Sequence, residues 1–386
     1  MADARYVATD PQELGIDPDK LDELLTRARR EVDEGLLPAC QIAIARHGRL
    51  AAFETFGNAD NDSLFNVFSC TKAFTAAAGW LLIQDGLLNI DETVANIIPE
   101  FADNGKDAVT VEQLFTHTAG FPNAPFRPTE WFDPDKRLKR FASWRLNWEP
   151  GTRYEYHPTS SMWVIAEIIE RLSHRFFAVF VRERMIEPLG LSNMFVGCPD
   201  AEHARIKPVT HVGEPLTEAE WAELGLPMPP ETEVTPEALD AFNQTEMRRV
   251  PVAGGGGIMT AADLALFYQA LLNGGRLGDG PEIWTPETLT HALEVRHDLL
   301  DPMGVPAHRA LGLVIAGDAQ RNQRGFGHTN SEHAFGHGGA GGQIAWGDPV
   351  TGISLGYCTN GHDANSIRQA RRGVGISSRA AVCARD

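Results

Sequence analysis

The stretch FSCTKAFTAA, residues 68–77, puts Lys72 three positions after Ser69 at the head of a segment that continues AGWLLI with almost no polar face. Lysine is among the residues least often buried, so its place at the mouth of a core helix needs a reason. On a helix, positions i and i+3 share a face, which brings the Ser69 hydroxyl and the Lys72 amine within reach of each other. A serine hydroxyl becomes a nucleophile when a neighbouring base removes its proton, and a lysine whose pKa is lowered by its surroundings can serve. The helix N-terminus also points backbone N–H groups at the place where an oxyanion would form. The alternative is structural: Ser69 caps the helix and Lys72 snorkels to water.

Outward from this segment, the helix is expected to run from Ser69 to about Gln84 and to stop at Asp85-Gly86, with the glycine as C-terminal cap. Upstream, residues 17–33 carry Leu21, Leu24, Leu25 and Ala28 at helical spacing. CQIAIAR (40–46) and RLAAFETFG (49–57) flank His47-Gly48, the pattern of a β-hairpin. Downstream, TVEQLFTHTAG (110–120) and SSMWVIAEIIERLS (160–173) read as helical, and residues 213–240, rich in Pro, Glu and Thr, as an excursion over the surface. Thr260 to Asp263 start a further helix. ALGLVIAG (310–317), GQIAWGDP (342–349) and ISLGYCTN (353–360) return to strands, and NSIRQARRG (365–373) forms a final helix. Strands at both ends with helices between them imply one antiparallel sheet built from residues 1–68 and 250–386, a mainly helical region over 69–249, and a site at their interface.

The chain has 386 residues, 43% of them hydrophobic, enough for a large core. A formal net charge of −18 argues against phosphate backbones and anionic lipid as partners, so no nucleic acid and no membrane are expected. The N-terminus lacks a basic region followed by an apolar run, and no apolar stretch approaches the length of a membrane span. Five scattered cysteines without metal-ligand spacing fit a reduced, cytoplasmic protein. No metal and no cofactor are expected: no His pair has H-E-x-x-H spacing, and the G-x-G-x-x-G at Gly336, Gly338 and Gly341 is followed by a strand where a dinucleotide site would need a helix. Gly254 to Gly257 read as tight packing ahead of a helix. No serine sits in a G-x-S-x-G elbow.

Two further elements stand in order behind Ser69 and Lys72. PGTRYEYHP (150–158) sets Tyr156 after a Pro-Gly turn, and FGHGGAGG (335–342) sets His337, Gly338 and Gly339 ahead of a strand. Each has a plainer reading, Tyr156 as a core aromatic and His337 as a turn residue. Together with THTAGFP (116–122) and VAGGGGIMTAADLALF (252–267), the set resembles the serine β-lactamase and penicillin-binding-protein superfamily, in its class C-like esterase (family VIII carboxylesterase) branch, over residues 40 to 375.

The resemblance implies the β-lactamase-like (transpeptidase-like) fold, an antiparallel sheet flanked by helices with an inserted mainly helical region. It implies a serine hydrolase cleaving carboxylic esters of small to medium acyl groups, a small-molecule ester or acyl substrate, with Ser69 as nucleophile and Lys72 and Tyr156 exchanging the proton. The backbone N–H groups of Ser69 and Ala340 would form the oxyanion hole, and His337 would orient Tyr156 or the leaving group. His157 reads as a solvated neighbour of Tyr156. Two departures favour the esterase branch over a β-lactamase or D-amino-acid peptidase. Pro158 stands where the lactamases carry an amide side chain, and His337 where they carry a lysine. An acyltransferase would use the same acyl-enzyme, and a non-catalytic binding module would be expected to have lost a motif member. The aromatics Phe121, Phe126, Trp131, Phe132, Trp144 and Trp148 have two readings, an apolar acyl or alcohol pocket for some and ordinary core for most, and their number points to no particular substrate.

Overall fold

The computed structural model describes residues 4–225, 228 and 234–385. A six-stranded antiparallel sheet is ordered β2-β1-β10-β9-β8-β7. Its strands are β1 (Ala39–Arg46), β2 (Arg49–Gly57), β7 (Val314–Ile315), β8 (Phe335–Gly336), β9 (Ile344–Asp348) and β10 (Ile353–Thr359). Chain ends therefore meet in space: β1 pairs with β10, with Ile42 opposite Tyr357. The hairpin turn forms at His47-Gly48, both with positive φ, as a tight two-residue connection requires.

Alternation along β1 buries both faces. Cys40, Ile42 and Ile44 join a cluster with Leu21, Leu24 and Ala28 of helix α1 (Pro18–Asp33) and Ile376 and Ala380 near the C-terminus. Ala43 and Ala45 face the larger cluster on the other side. Small residues there let a helix press close. A Cβ on Gly356 of β10 would lie 2.2 Å from the Ala261 carbonyl, at the start of the helix covering this face.

The expected helix at Ser69 begins two residues later: α2 is Thr71–Gln84, and Ser69 and Cys70 form the turn leading into it from β3 (Phe65–Phe68). Twelve of its residues, Lys72 among them, are buried. It packs against α3 (Ser160–Ser173). A three-stranded sheet sets β3 beside β6 (Gly257–Met259), with β4 (Met194–Val196) on the far side. Residues 69–249 thus hold short strands as well as helices, including β5 (Thr210–Val212), which pairs with β11 (Gly361–Asp363).

Helix α4 (Ala261–Leu272) starts as expected, with the Thr260 side chain accepting from the Asp263 N–H. The last helix, α5 (Ser366–Ala380), is longer than its sequence signal. ALGLVIAG gives only the two residues of β7. Gly312 bends the chain at φ 83°, and a Cβ there would lie 2.3 Å from Ala76 of α2, so this segment packs on a helix instead of extending the sheet. Of the 213–240 stretch, residues 226, 227 and 229–233 lie outside the described residues; the described part is mostly exposed and holds the short helices Glu218–Glu223 and Pro236–Asp240. All five cysteines are free and buried. Among the described residues no helix is long and apolar enough to cross a membrane.

Candidate functional site

Ser69 sits at the seam between β3 and α2, and the chain reaches it through a strained residue. Phe68 has φ 45°, a left-handed conformation that bulky residues rarely adopt. Its carbonyl accepts from Thr71 Oγ1, and Thr71 Oγ1 in turn accepts from the Gly257 N–H at 2.8 Å, which ties the turn to β6. The glycine run is tight packing, as expected: a Cβ on Gly257 would lie 2.6 Å from Thr71 Oγ1, and one on Gly254 would lie 3.0 Å from the Pro158 carbonyl.

Lys72 has no exposed surface. Its Nζ donates to Ser69 Oγ (3.1 Å), the Pro158 carbonyl (2.6 Å) and the Gly254 carbonyl (2.7 Å). All three protons of an ammonium are directed to acceptors. The snorkelling alternative fails on burial. Pro158, though lacking a polar side chain, joins the site through its carbonyl.

Tyr156 is half-buried with its hydroxyl enclosed, its ring centroid 5.0 Å from Lys72 Nζ and 5.4 Å from the guanidinium carbon of Arg309. Its hydroxyl makes no hydrogen bond of standard geometry among the described residues, although Ser69 is close enough to favour the phenolate. Burial dominates and pushes the phenol up to about 12, against the pull of Ser69 and Arg309. Arg309 itself is buried, gives both Nε (3.0 Å) and Nη2 (2.8 Å) to Tyr154 Oη, and pairs with no carboxylate among the described residues.

His337 stands at the end of β8, its ring 5.9 Å from that of Tyr156. Its Nδ1–H donates to the Gly338 carbonyl (2.7 Å), leaving Nε2 as an acceptor facing Arg309 Nη1 at 3.5 Å. Burial first, then Arg309 and Lys72, hold its pKa well below the usual range, so the ring is neutral. Gly339 pairs with Gln343 in a tight loop and packs against β3, where a Cβ would lie 2.2 Å from the Val67 carbonyl; Gly338 sits between this loop and His337. The N–H groups of Ser69 and of Ala340, in the same loop, donate to no acceptor among the described residues.

His157 is fully buried, which corrects the expectation of a solvated residue. Its Nδ1–H donates to the Glu155 carbonyl and its Nε2 accepts from the Phe121 N–H, and burial drops its pKa to about 4. It braces the loop. The His157 N–H reaches His117 Nδ1 (3.2 Å), and the His117 ring lies 4.8 Å from Tyr156.

On its other side Ser69 opens into a cavity of about 310 Å³, lined by Phe68, Phe126, Trp163, Phe242, Met247 and Val252 among others, with Ala340 at its edge. Of the aromatics singled out in the sequence only Phe126 lines it; Phe121, Trp131 and Trp144 are core, and Phe132 is 54% exposed. Arg309 and Trp163 carried no motif in the sequence. Arg309 reaches the site from a distant loop, and Trp163 has the same periodicity as any core residue of α3.

The chain and its fold match known proteins. The Beta-lactamase family model matches residues 25–376, and the chain belongs to that family. It is 27% identical over 320 residues to "Esterase/beta-lactamase LipL" of Mycobacterium tuberculosis, covering 78% of this chain and 70% of that protein. Over 226 residues it is 30% identical to "Esterase EstB" of Burkholderia gladioli, covering 51% of this chain and 55% of that protein. Among solved structures, a penicillin-binding-protein homologue from Caulobacter crescentus superposes with a TM-score of 0.75 at 29% identity, over 95% of this chain and 99% of that one.

Proposed function

We propose that the protein is a serine hydrolase that cleaves carboxylic esters of small-molecule substrates through an acyl-enzyme on Ser69. The observation that carries this is the buried Lys72 Nζ at 3.1 Å from Ser69 Oγ, beside Tyr156. Lys72 and Tyr156 act as one proton-sharing pair. Loss of one proton from the pair lets it take the Ser69 proton as Oγ attacks the carbonyl carbon. The N–H groups of Ser69 and Ala340, both without acceptors among the described residues, suit the oxyanion that forms. Tyr156, strongly basic as a phenolate because burial raises its pKa, delivers the proton to the departing alkoxide. Water then attacks the acyl-enzyme and releases the acid; an alcohol in its place would give transfer.

His337 is neutral and turned towards Arg309, so its role is to hold that guanidinium over Tyr156. Names of the relatives support the ester reading, one being called an esterase and another an esterase/beta-lactamase. Pro158 and His337 support it over lactam or peptide cleavage, since neither offers the amide or ammonium group such substrates would meet. Five free cysteines suit a reducing, cytoplasmic setting.

The test is hydrolysis of p-nitrophenyl butyrate by the wild type and Ser69→Ala, with a chromogenic cephalosporin alongside. Ester turnover should fall by about 10⁴-fold or more in the variant, as for nucleophile removal elsewhere, with the cephalosporin a poor substrate. Equal rates in the two proteins would sink the assignment.

A further inference from the structure

We infer that His362 is a positioning residue for the oxyanion hole, its imidazole a rigid spacer that sets how far apart and at what angle the N–H groups of Ser69 and Ala340 stand. This rests on the proposed Ser69 acyl-enzyme and adds to it the side chain that aligns the two donors. Three observations carry it.

The first is contact with the carriers of both donors. The Ser69 N–H belongs to the peptide that follows Phe68, and the Ala340 N–H lies in the loop 339–342. His362, in the middle of β11, meets the Phe68 ring edge-on, with ring centroids 5.0 Å apart. On the loop side it lies against Gly341, where a Cβ would stand 2.4 Å from His362 Nε2 and 2.5 Å from its Cδ2. Gly341 has φ 76°, and only a residue without a Cβ lets the backbone come this close to the ring. The loop and β3 also meet directly, at Gly339 and the Val67 carbonyl. Their separation is therefore set at two points, one a backbone contact and the other the imidazole.

The second is that the ring is used for nothing else. His362 is 5% exposed, and neither of its nitrogens makes a hydrogen bond among the described residues. A neutral imidazole carries one donor and one acceptor, and burying both without partners is costly. What the side chain contributes in place of hydrogen bonds is shape. Burial, with His211 next, brings its pKa down to about 4, so the spacer is uncharged near neutral pH.

The third is backing. In the register of β11 with β5, His362 stands opposite His211, whose ring lies 5.8 Å away. His211 Nε2 is 3.0 Å from Asp240 Oδ1, which ties it to the helix Pro236–Asp240. Asp363, the next residue of β11, is buried and accepts from Arg368 Nε (2.6 Å) and Nη2 (2.7 Å). The spacer is thus held from behind as well as in front.

Oxyanion donors act on the transition state, so their misalignment lowers kcat and leaves KM almost alone. The experiment is the kinetics of p-nitrophenyl butyrate hydrolysis and the Ki of phenylboronic acid for the wild type, His362→Ala, His362→Phe and Gly341→Ala, with Ser69→Ala as reference. In the inhibited enzyme Ser69 Oγ bonds to boron, the serine proton passes to the Lys72–Tyr156 pair, no bond to boron breaks, and a boron hydroxyl takes the oxyanion's place. His362→Ala should lower kcat by about 10²-fold with KM within about twofold, as for a catalytic group displaced by about 1 Å, and should raise the Ki in proportion. His362→Phe keeps a flat ring and should return both values to within about fivefold of wild type. Gly341→Ala presses a Cβ on the ring with His362 in place and should also raise the Ki, which decides the matter if His362→Ala does not fold. A misfolded fraction lowers the apparent kcat but leaves the Ki of the remaining enzyme unchanged, so it does not mimic the result. An unchanged Ki in His362→Ala or Gly341→Ala, or a His362→Phe variant as impaired as His362→Ala, with hydrolysis still Ser69-dependent, would overturn the spacer and leave the nucleophile standing. Turnover that does not depend on Ser69 would overturn the nucleophile, and the spacer with it.

Discussion

The two sides of Ser69 are built on opposite physical terms. One side gathers buried Lys72, His117, His337 and Arg309 around half-buried Tyr156, a cluster in which cations lower the pKa values of the neutral imidazoles. The other is an apolar wall of Phe126, Trp163, Phe242 and Met247. Low dielectric strengthens every charge on the first side and gives the second nothing to respond to. On the proposed mechanism, chemistry falls to one half of the seam and substrate contact to the other, and changes on the two sides should have different signatures.

The strongest way to break this division is Lys72→Ala. It removes the group that touches Ser69 Oγ, so acylation should fall by about 10³-fold, within the range for loss of an acid–base group. Thermal unfolding checks that the fold survives, since the Pro158 and Gly254 carbonyls lose their donor. A variant that retains most of its turnover would remove Lys72 from the proton path.

Arg309 sharpens the comparison next, because it acts through Tyr156 without touching Ser69 among the contacts seen. A cation 5.4 Å from the ring favours the phenolate, so Arg309→Met should shift the acid limb of the kcat/KM profile to higher pH by about one unit, with Arg309→Lys between. Preference among esters of different acyl length should stay put. A pH profile identical to wild type would make Arg309 only a tether for Tyr154.

The smallest expected effect concerns stability alone. His157 titrates at about 4 when folded, against 6.5 as its ordinary value, because burial penalises the imidazolium. Its contribution is fully present above pH 6.5 and is lost progressively as pH falls towards 4, on the order of 3 kcal/mol at the low end. His117 and His337 shift in the same direction. The urea midpoint should drop between pH 7 and 5, and His157→Gln should flatten that slope. A midpoint independent of pH over this range would contradict the buried-neutral assignment.

Legibility in the sequence followed the same division. Ser69 and Lys72 are three residues apart, and Tyr156 follows a Pro-Gly turn, so local spacing exposes them, and the family they resemble is the one to which the chain belongs. The sheet was readable for a similar reason, since the 40–57 hairpin and the strands near 344–359 have strong local patterns. Arg309 and His117 come from loops whose meeting depends on the tertiary fold. His157 was misjudged because an imidazole satisfied by the Glu155 carbonyl and the Phe121 N–H looks, in sequence, like any polar neighbour. Pocket residues have at best a weak signature: Trp163 reads as core, and Phe126 was singled out only within a group of aromatics of which Phe121, Trp131 and Trp144 are core.

Phe68 belongs to both halves of the seam. Its ring forms part of the cavity floor, while its peptide unit carries the N–H of Ser69 and is held at φ 45° by the Thr71 clasp. Reshaping the floor at this position would also tilt the amide of Ser69, the proposed nucleophile, so on that reading reactivity and selectivity are mechanically inseparable there. Diversification of such a scaffold has more freedom at Leu239, Phe242 and Met247, where side chains can be exchanged without transmitting torque to the reacting backbone.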